Sequence, residues 1–409
     1  MGGFCLVNAR NHSAISRSSR RHRSGTGRNT SGCPRQYPQA PEAPVTPTPA
    51  TPSRHASFCL NGKPVGIGNA DPNRTLLEAL RDAGLTGAKE GCNEGDCGAC
   101  AVVVSLPDAD GIPRWRSVNS CILPLAAMAG REVRTVEGLA MDRPDPAPDR
   151  SESRECPASL HPIQSALVRH HGSQCGYCTP GIVMSLVEAC HRRDLATEED
   201  LAEQLAGNLC RCTGYRSIRA AAIEALEAAR RGCGLVPAPA PSSLPLVAPE
   251  APDGGFFHPE DLRSLFAIRE RFPAARWVAG GTDLGPEITR KFHRFEALVS
   301  LEHVRELAEL RATPDAWHIG AAVPLTVLAE RLAGELPEVD AMIRGFGSRQ
   351  IRNRATLGGN LATASPVACA ATLLLAMDAR LVLASATGER VVGIDEFFTG
   401  YRTTVLRPD

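Results

Sequence analysis

The sequence predicts a multidomain α+β protein, on three observations. Residues 57–139 mix short β-branched runs with one amphipathic helix, residues 158–233 read as helices alone, and residues 255–409 alternate strand with helix. Two Pro-rich breaks, at about 140–157 and at 234–254, separate these stretches and read as surface linkers. Many of the 15 cysteines fall at spacings of one, two or four residues, which suits metal in a reducing compartment better than disulfides.

Composition narrows the function classes. An apolar content of 43% supports real cores, and a formal net charge of zero gives no global attraction to nucleic acid. No run of about 18 apolar residues exists, so no membrane span is expected. Residues 1–56 differ from the rest: up to Pro41 there are seven arginines, no lysine and no acid, and a Pro, Thr and Ala run follows. Such a stretch cannot bury a core and predicts a disordered extension over 1–56, with a targeting signal as the other reading.

Ordered sequence begins at Ser57. Residues 57–65 read as strand, Asn-Gly turn, strand. Thr75 caps an amphipathic helix over 76–81, with Leu76, Leu77 and Leu80 on one face. Val102–Val104 and Glu132–Val136 read as strands. His161 to about Arg193 is helical with a break at 172–180, Thr197 and Asp200 make a capping box, and a last helix covers 217–231. Beyond Phe256, strands are expected near Val278, Leu298–Ser300 and Trp317–Gly320, with a hairpin of 381–383 and 390–392 turning at Thr387-Gly388.

Three constellations carry chemistry. Cys92, Cys97 and Cys100 stand at C-x4-C-x2-C spacing with glycines beside them, and Cys121 follows after a gap. Thiolates are the soft ligands of iron–sulfur clusters, and this spacing is that of plant-type [2Fe–2S] ferredoxins; zinc knuckles favour separate C-x2–4-C pairs. Cys175, Cys178, Cys210 and Cys212 form a C-x2-C and a C-x-C that could close one four-thiolate site, for zinc or for a cluster. Cys5, Cys33, Cys59, Cys156, Cys190, Cys233 and Cys369 have no such partners. Third, Val278-Ala279-Gly280-Gly281-Thr282-Asp283-Leu284 reads as a strand entering a Gly-rich turn and a helix, either a plain tight turn or a backbone approach to a pyrophosphate.

Gln174–Gly181 and Gly207–Tyr215 resemble the two halves of the helical [2Fe–2S] domain of the molybdenum hydroxylases, and Glu90–Cys100 resembles the ferredoxin domain before it. The resemblance runs from about residue 57 to 409. It implies a β-grasp ferredoxin domain over 57–139, an all-α [2Fe–2S] bundle over 158–233, and an α+β FAD-binding domain of the PCMH/VAO type over 255–409. The cluster ligands would be the two cysteine quartets. FAD contacts would come from 278–284, Phe346, Ala355, Thr356, Gly359, Asn360 and Thr363. Gln174 and Cys212 would lie near molybdopterin on a large partner subunit, in a heterotetramer or larger assembly.

The domain order resembles the small subunits of the xanthine dehydrogenase group. Its implied work is electron transfer in hypoxanthine and xanthine oxidation, in the cytoplasm, from molybdopterin through two clusters to FAD and NAD, with no bond-making catalytic residue on this chain. The alternatives are the small subunit of an aldehyde or N-heterocycle hydroxylase, or an iron–sulfur or zinc-binding adaptor without flavin. In two places the chain departs from the family pattern. Cys369 stands where an aspartate contacts the flavin, and the sequence stops at Asp409, before a further flavoprotein subdomain, as a fragment or truncated frame would.

Overall fold

The computed structural model describes residues 5–9, 56–68, 71–140, 160–233, 236–240 and 254–407. The expected linkers at 141–157 and over most of 234–254 lie outside the described residues, as does nearly all of 1–56. The exceptions are Ala56, buried just before the first strand of the ferredoxin-like sheet, and Cys5–Ala9, a strand where disorder was expected. It pairs antiparallel with Trp317–Ile319 on one side and Arg380–Ser385 on the other. Cys5-Leu6-Val7 is a short apolar run inside a basic tail, and it gives the backbone groups of both neighbours a ladder partner.

The first domain is a five-stranded sheet in the order 63–66, 57–60, 132–134, 101–107, 113–119. Strand 57–60 runs parallel to 132–134, and the other pairings are antiparallel. Helix Leu76–Asp82 opens with the full Thr75/Glu78 capping box and buries Leu76, Leu77 and Leu80. Each of those leucines contributes about 1.5–3 kcal/mol on burial. This is the β-grasp arrangement.

Four helices make the second domain: Pro162–Arg169, Thr179–His191, Glu198–Leu205 and Arg216–Arg230. The break between the first two is the loop that carries Cys175 and Cys178. The Thr197/Asp200 capping box forms as expected. Small and branched residues, among them Ile182, Val183, Leu186, Ala221, Ala222 and Ala225, fill the bundle, and Val103 and Trp115 of the first domain join the same core. The two domains therefore share buried surface.

The third domain combines a parallel three-stranded sheet, ordered 255–257, 297–300, 276–278, with a five-stranded antiparallel sheet, ordered 310–312, 317–319, 5–9, 380–385, 388–393. The hairpin of 380–385 and 388–393 closes with Ser385 opposite Gly388. Of two short helices, Leu284–Thr289 follows the Gly280-Gly281 turn, and Leu357–Thr363, capped by Thr356, carries Gly358 and Gly359 within its first turn, where the sequence reads as a loop.

One carboxylate joins all three domains. Glu188, buried in the Thr179–His191 helix, accepts from Ser117 N–H (3.1 Å) of the first domain. It also accepts from Arg349 Nε (2.9 Å) and Asn353 Nδ2 (3.1 Å) of the third. Burial alone would raise its pKa; Arg349, Arg116, Ser117 and Arg192 outweigh burial and hold it at about 2.

Candidate redox centres and flavin cleft

The Gly91–Cys100 loop is shaped around sulfur. Cys92 Sγ accepts from three backbone N–H groups, those of Glu94 (3.5 Å), Asp96 (3.3 Å) and Cys97 (3.4 Å). Gly95 and Gly98 take positive φ values, and so does Asn93, which lets successive amides point inward. Asn119 Nδ2 holds the Gly95 carbonyl and Ser120 Oγ the Cys100 carbonyl at 2.7 Å, so the strand end that delivers Cys121 also braces the loop.

Among the described residues, no three His, Cys, Asp or Glu side chains close around a single metal ion. The cysteines instead make a chain of contacts, Cys97 to Cys92 to Cys121 to Cys100. Hydrogen bonds from Cys121 and Cys97 hold the Cys92 thiol far below its ordinary pKa, and one from Cys121 lowers that of Cys100; Cys97 and Cys121 are pushed up as the donors. A string of thiols, with amides aimed at one of them, fits a two-iron cluster better than one zinc ion.

The second quartet is assembled from both halves of the bundle. Cys175 touches Cys212, and Cys178 touches Cys210. Burial pushes Cys178 up to about 12, while hydrogen bonds from Thr213 and from backbone amides outweigh burial at Cys210 and lower it. Tyr215, in a left-handed conformation, places its hydroxyl to accept from Cys210 N–H (2.8 Å). Cys175 and Cys212 are exposed, as is Gln174.

The two quartets lie back to back. Leu209 N–H donates to the Cys97 carbonyl at 3.0 Å. Gly181 and Gly207 both abut the Gly98 backbone; a Cβ on Gly181 would collide with Gly98 O, and one on Gly98 with Gly207 O. Gln350 of the third domain bonds Asn208 Oδ1 (2.8 Å), and Asn208 in turn donates to Gly98 O (3.2 Å).

The third constellation lines one cleft of about 470 Å³. Val278, Ala279, Gly280, Gly281, Thr282, Asp283, Leu284, Phe346, Ala355, Thr356, Gly359, Asn360 and Thr363 all face it. The two loops interlock: a Cβ at Gly280 would collide with the Arg354 carbonyl, and Thr363 Oγ1 donates to Asp283 Oδ2 (3.0 Å). Asn360 Oδ1 is buried without a protein partner. Close backbone, an orphan polar atom and mostly apolar walls suit a flavin nucleotide.

The sequence reading missed Lys291, Arg402 and Leu406, which also line the cleft. Their separation from the Gly-rich loops hides them; only the positive charges beside a suspected diphosphate site hinted at the first two. Cys369 is exposed at the start of helix Cys369–Ala376 and does not line the cleft.

Three family matches follow the three domains. Residues 58–126 match the 2Fe-2S iron-sulfur cluster binding domain, 135–223 the [2Fe-2S] binding domain, and 252–409 the FAD binding domain in molybdopterin dehydrogenase. The chain is 35% identical to a xanthine dehydrogenase of Drosophila pseudoobscura pseudoobscura, over 86% of this chain and 30% of that protein. It is 33% identical to the xanthine dehydrogenase/oxidase of Mus musculus, over 86% of this chain and 29% of the relative. Among solved structures, quinoline 2-oxidoreductase from Pseudomonas putida 86 is 33% identical with a TM-score of 0.33, covering 43% of this chain and 96% of that one. The chain thus spans under a third of the length of the curated relatives it matches. With two [2Fe–2S] domains followed by this FAD domain, the chain belongs to the molybdenum hydroxylase family of molybdopterin-dependent dehydrogenases.

Proposed function

We propose that this chain is the electron-transfer subunit of a xanthine dehydrogenase-type molybdenum hydroxylase, working in the cytoplasm on hypoxanthine and xanthine. A large partner subunit carries the molybdopterin, and NAD is the final acceptor. In this reading Cys92, Cys97, Cys100 and Cys121 ligate one [2Fe–2S] cluster, and Cys175, Cys178, Cys210 and Cys212 the other. The cleft residues named above hold FAD. When bound, the clusters carry single electrons and the flavin collects a pair for transfer as hydride.

The observation that carries the reading is the sequence of contacts between the three centres. The exposed Cys175 and Cys212 present one end of the second quartet to a partner. The Leu209–Cys97 hydrogen bond joins that quartet to the first. Ile122, the residue after Cys121, lies against the flavin loop, its carbonyl 3.5 Å from a Cβ placed on Gly281. Nothing on this chain need make or break a substrate bond. Its residues hold sulfur and flavin groups in line, exclude water between them and donate N–H bonds that tune them.

Co-expression with a molybdopterin-binding partner subunit tests the reading. Purine-dependent NAD reduction by the pair is expected. Oxidation of an aldehyde or N-heterocycle with no purine turnover would replace xanthine as the substrate. A colourless zinc protein would contradict the redox reading altogether.

A further inference from the structure

Glu302 follows the central strand of the parallel sheet and is 14% exposed. Its carboxylate is shared by two buried guanidiniums. Arg131, from the ferredoxin domain, pairs with one oxygen. Arg354, from the loop before helix Leu357–Thr363, pairs with both, one contact being 3.1 Å. Arg354 Nε also donates to the Gly280 carbonyl at 3.4 Å. One carboxylate therefore ties the first cluster's domain to both loops of the flavin cleft.

The cleft's opposite edge is fixed in the same direction. Gly285 is the second residue of the helix that leaves the first loop, and a Cβ there would stand 2.5 Å from both Cβ and O of Ile122. Thr289 Oγ1 donates to the Asn93 carbonyl within the cluster loop. Other buried pairs cross between domains, such as Arg349 with Glu188 and Arg352 with Glu203. Those residues do not line the cleft, and Arg352 reaches it only at the Phe346 carbonyl (2.8 Å), whereas Arg354 adjoins Ala355 and holds Gly280, so that it joins the two Gly-bearing segments.

Resting on the proposed function, we propose that Glu302 is a positioning residue: through Arg131 and Arg354 it sets the spacing and orientation of the flavin loops relative to the Cys92–Cys121 centre. Without its charge, Arg131 and Arg354 would face each other as unpaired buried cations and repel. The loops would then shift away from the ferredoxin domain even where the flavin remains bound.

Two variants of the full chain, loaded with iron, sulfide and FAD, separate the parts. Glu302→Gln is expected to weaken FAD binding about tenfold, the loss that follows removal of a charged hydrogen-bonding group. Arg131→Gln keeps the Glu302–Arg354–Gly280 connection, so FAD affinity should stay within about twofold. In both, the reduced first cluster should relax the flavin radical less effectively in electron paramagnetic resonance, while the signals of both clusters keep their shapes.

Wild-type relaxation enhancement in Arg131→Gln would overturn the proposal, even if Glu302→Gln does not fold. So would a lowered melting temperature with unchanged flavin affinity and relaxation in the folded fraction of both variants, since that marks a merely structural pair. Failure of the functional reading is seen separately, in the unmutated chain: if it takes up clusters but no FAD, reading and inference fall together before any variant is made.

Discussion

Gly181, in the first turn of the helix after Cys178, lies so close against the carbonyl of Gly98 that no side chain fits between them. This contact brings the backbones of the two cysteine quartets together, and it is made by glycines from different domains. A methyl group at either position must push the loops apart.

Gly181→Ala should destabilise the protein by about 1–3 kcal/mol, as overpacking does. Gly98→Ala should be worse, since Gly98 also has φ +66° and abuts Gly207. Thermal unfolding of the reconstituted protein checks both. Magnetic coupling between the two reduced clusters should weaken in each variant that folds.

Acid should loosen the joints between domains. Glu188 and Glu302 both sit at about 2, against an ordinary value of 4.5, because arginines outweigh the effect of burial. A depressed carboxyl contributes stability above its unfolded pKa and loses it as pH falls through the folded one. The gap corresponds to ~3 kcal/mol for each group at neutral pH. Stability should therefore fall steadily from about pH 5 to about pH 2, and Glu188→Gln should flatten part of that slope in denaturant unfolding followed across pH.

Truncating Glu188 itself is expected to be severe. Glu188→Ala leaves Arg349, 7% exposed in its side chain, with only the more distant Glu330 carboxylate at 3.9 Å. Breaking one side of such a pair costs about 3–5 kcal/mol. Limited proteolysis should then release the helical domain from the FAD domain at concentrations of protease that leave the unmutated chain intact.

Tyr215→Phe probes the second quartet alone. The variant loses the hydroxyl that accepts from Cys210 N–H and reaches the Asn208 carbonyl. About 1 kcal/mol of local stability should go. The spectrum of the second cluster should shift while that of the first does not; an equal change in both would show that the hydroxyl acts on the fold as a whole.

Asn360→Leu tests the cleft. It removes the buried Oδ1 that has no protein partner and fills its place with carbon. FAD affinity should drop about tenfold on titration of flavin-free protein, with cluster content unchanged.

Much of this was legible in the sequence because the chemistry is local. Cysteine spacing is set by the geometry of the loop that wraps a cluster, and the Gly280-Gly281 turn by the strand and helix on either side. Distant pairings were not legible. Glu188 and Arg349 lie 161 residues apart, and the Arg131–Glu302–Arg354 connection spans two domains, so neither leaves a periodic trace. The Cys5–Ala9 strand was hidden by its setting, since composition averaged over a basic tail hides a five-residue apolar segment. Gly98 and Gly181 could be seen as loop and helix-start glycines, but that they touch is a property of packing.

Metal and flavin analysis of the chain, purified anaerobically and reconstituted with iron, sulfide and FAD, tests the central claim most directly. Two [2Fe–2S] clusters and one flavin predict about four irons and about one FAD per chain, with two distinguishable paramagnetic signals on reduction. Zinc in place of iron, or a single cluster signal that survives replacement of Cys175 and Cys212 by serine, would contradict it.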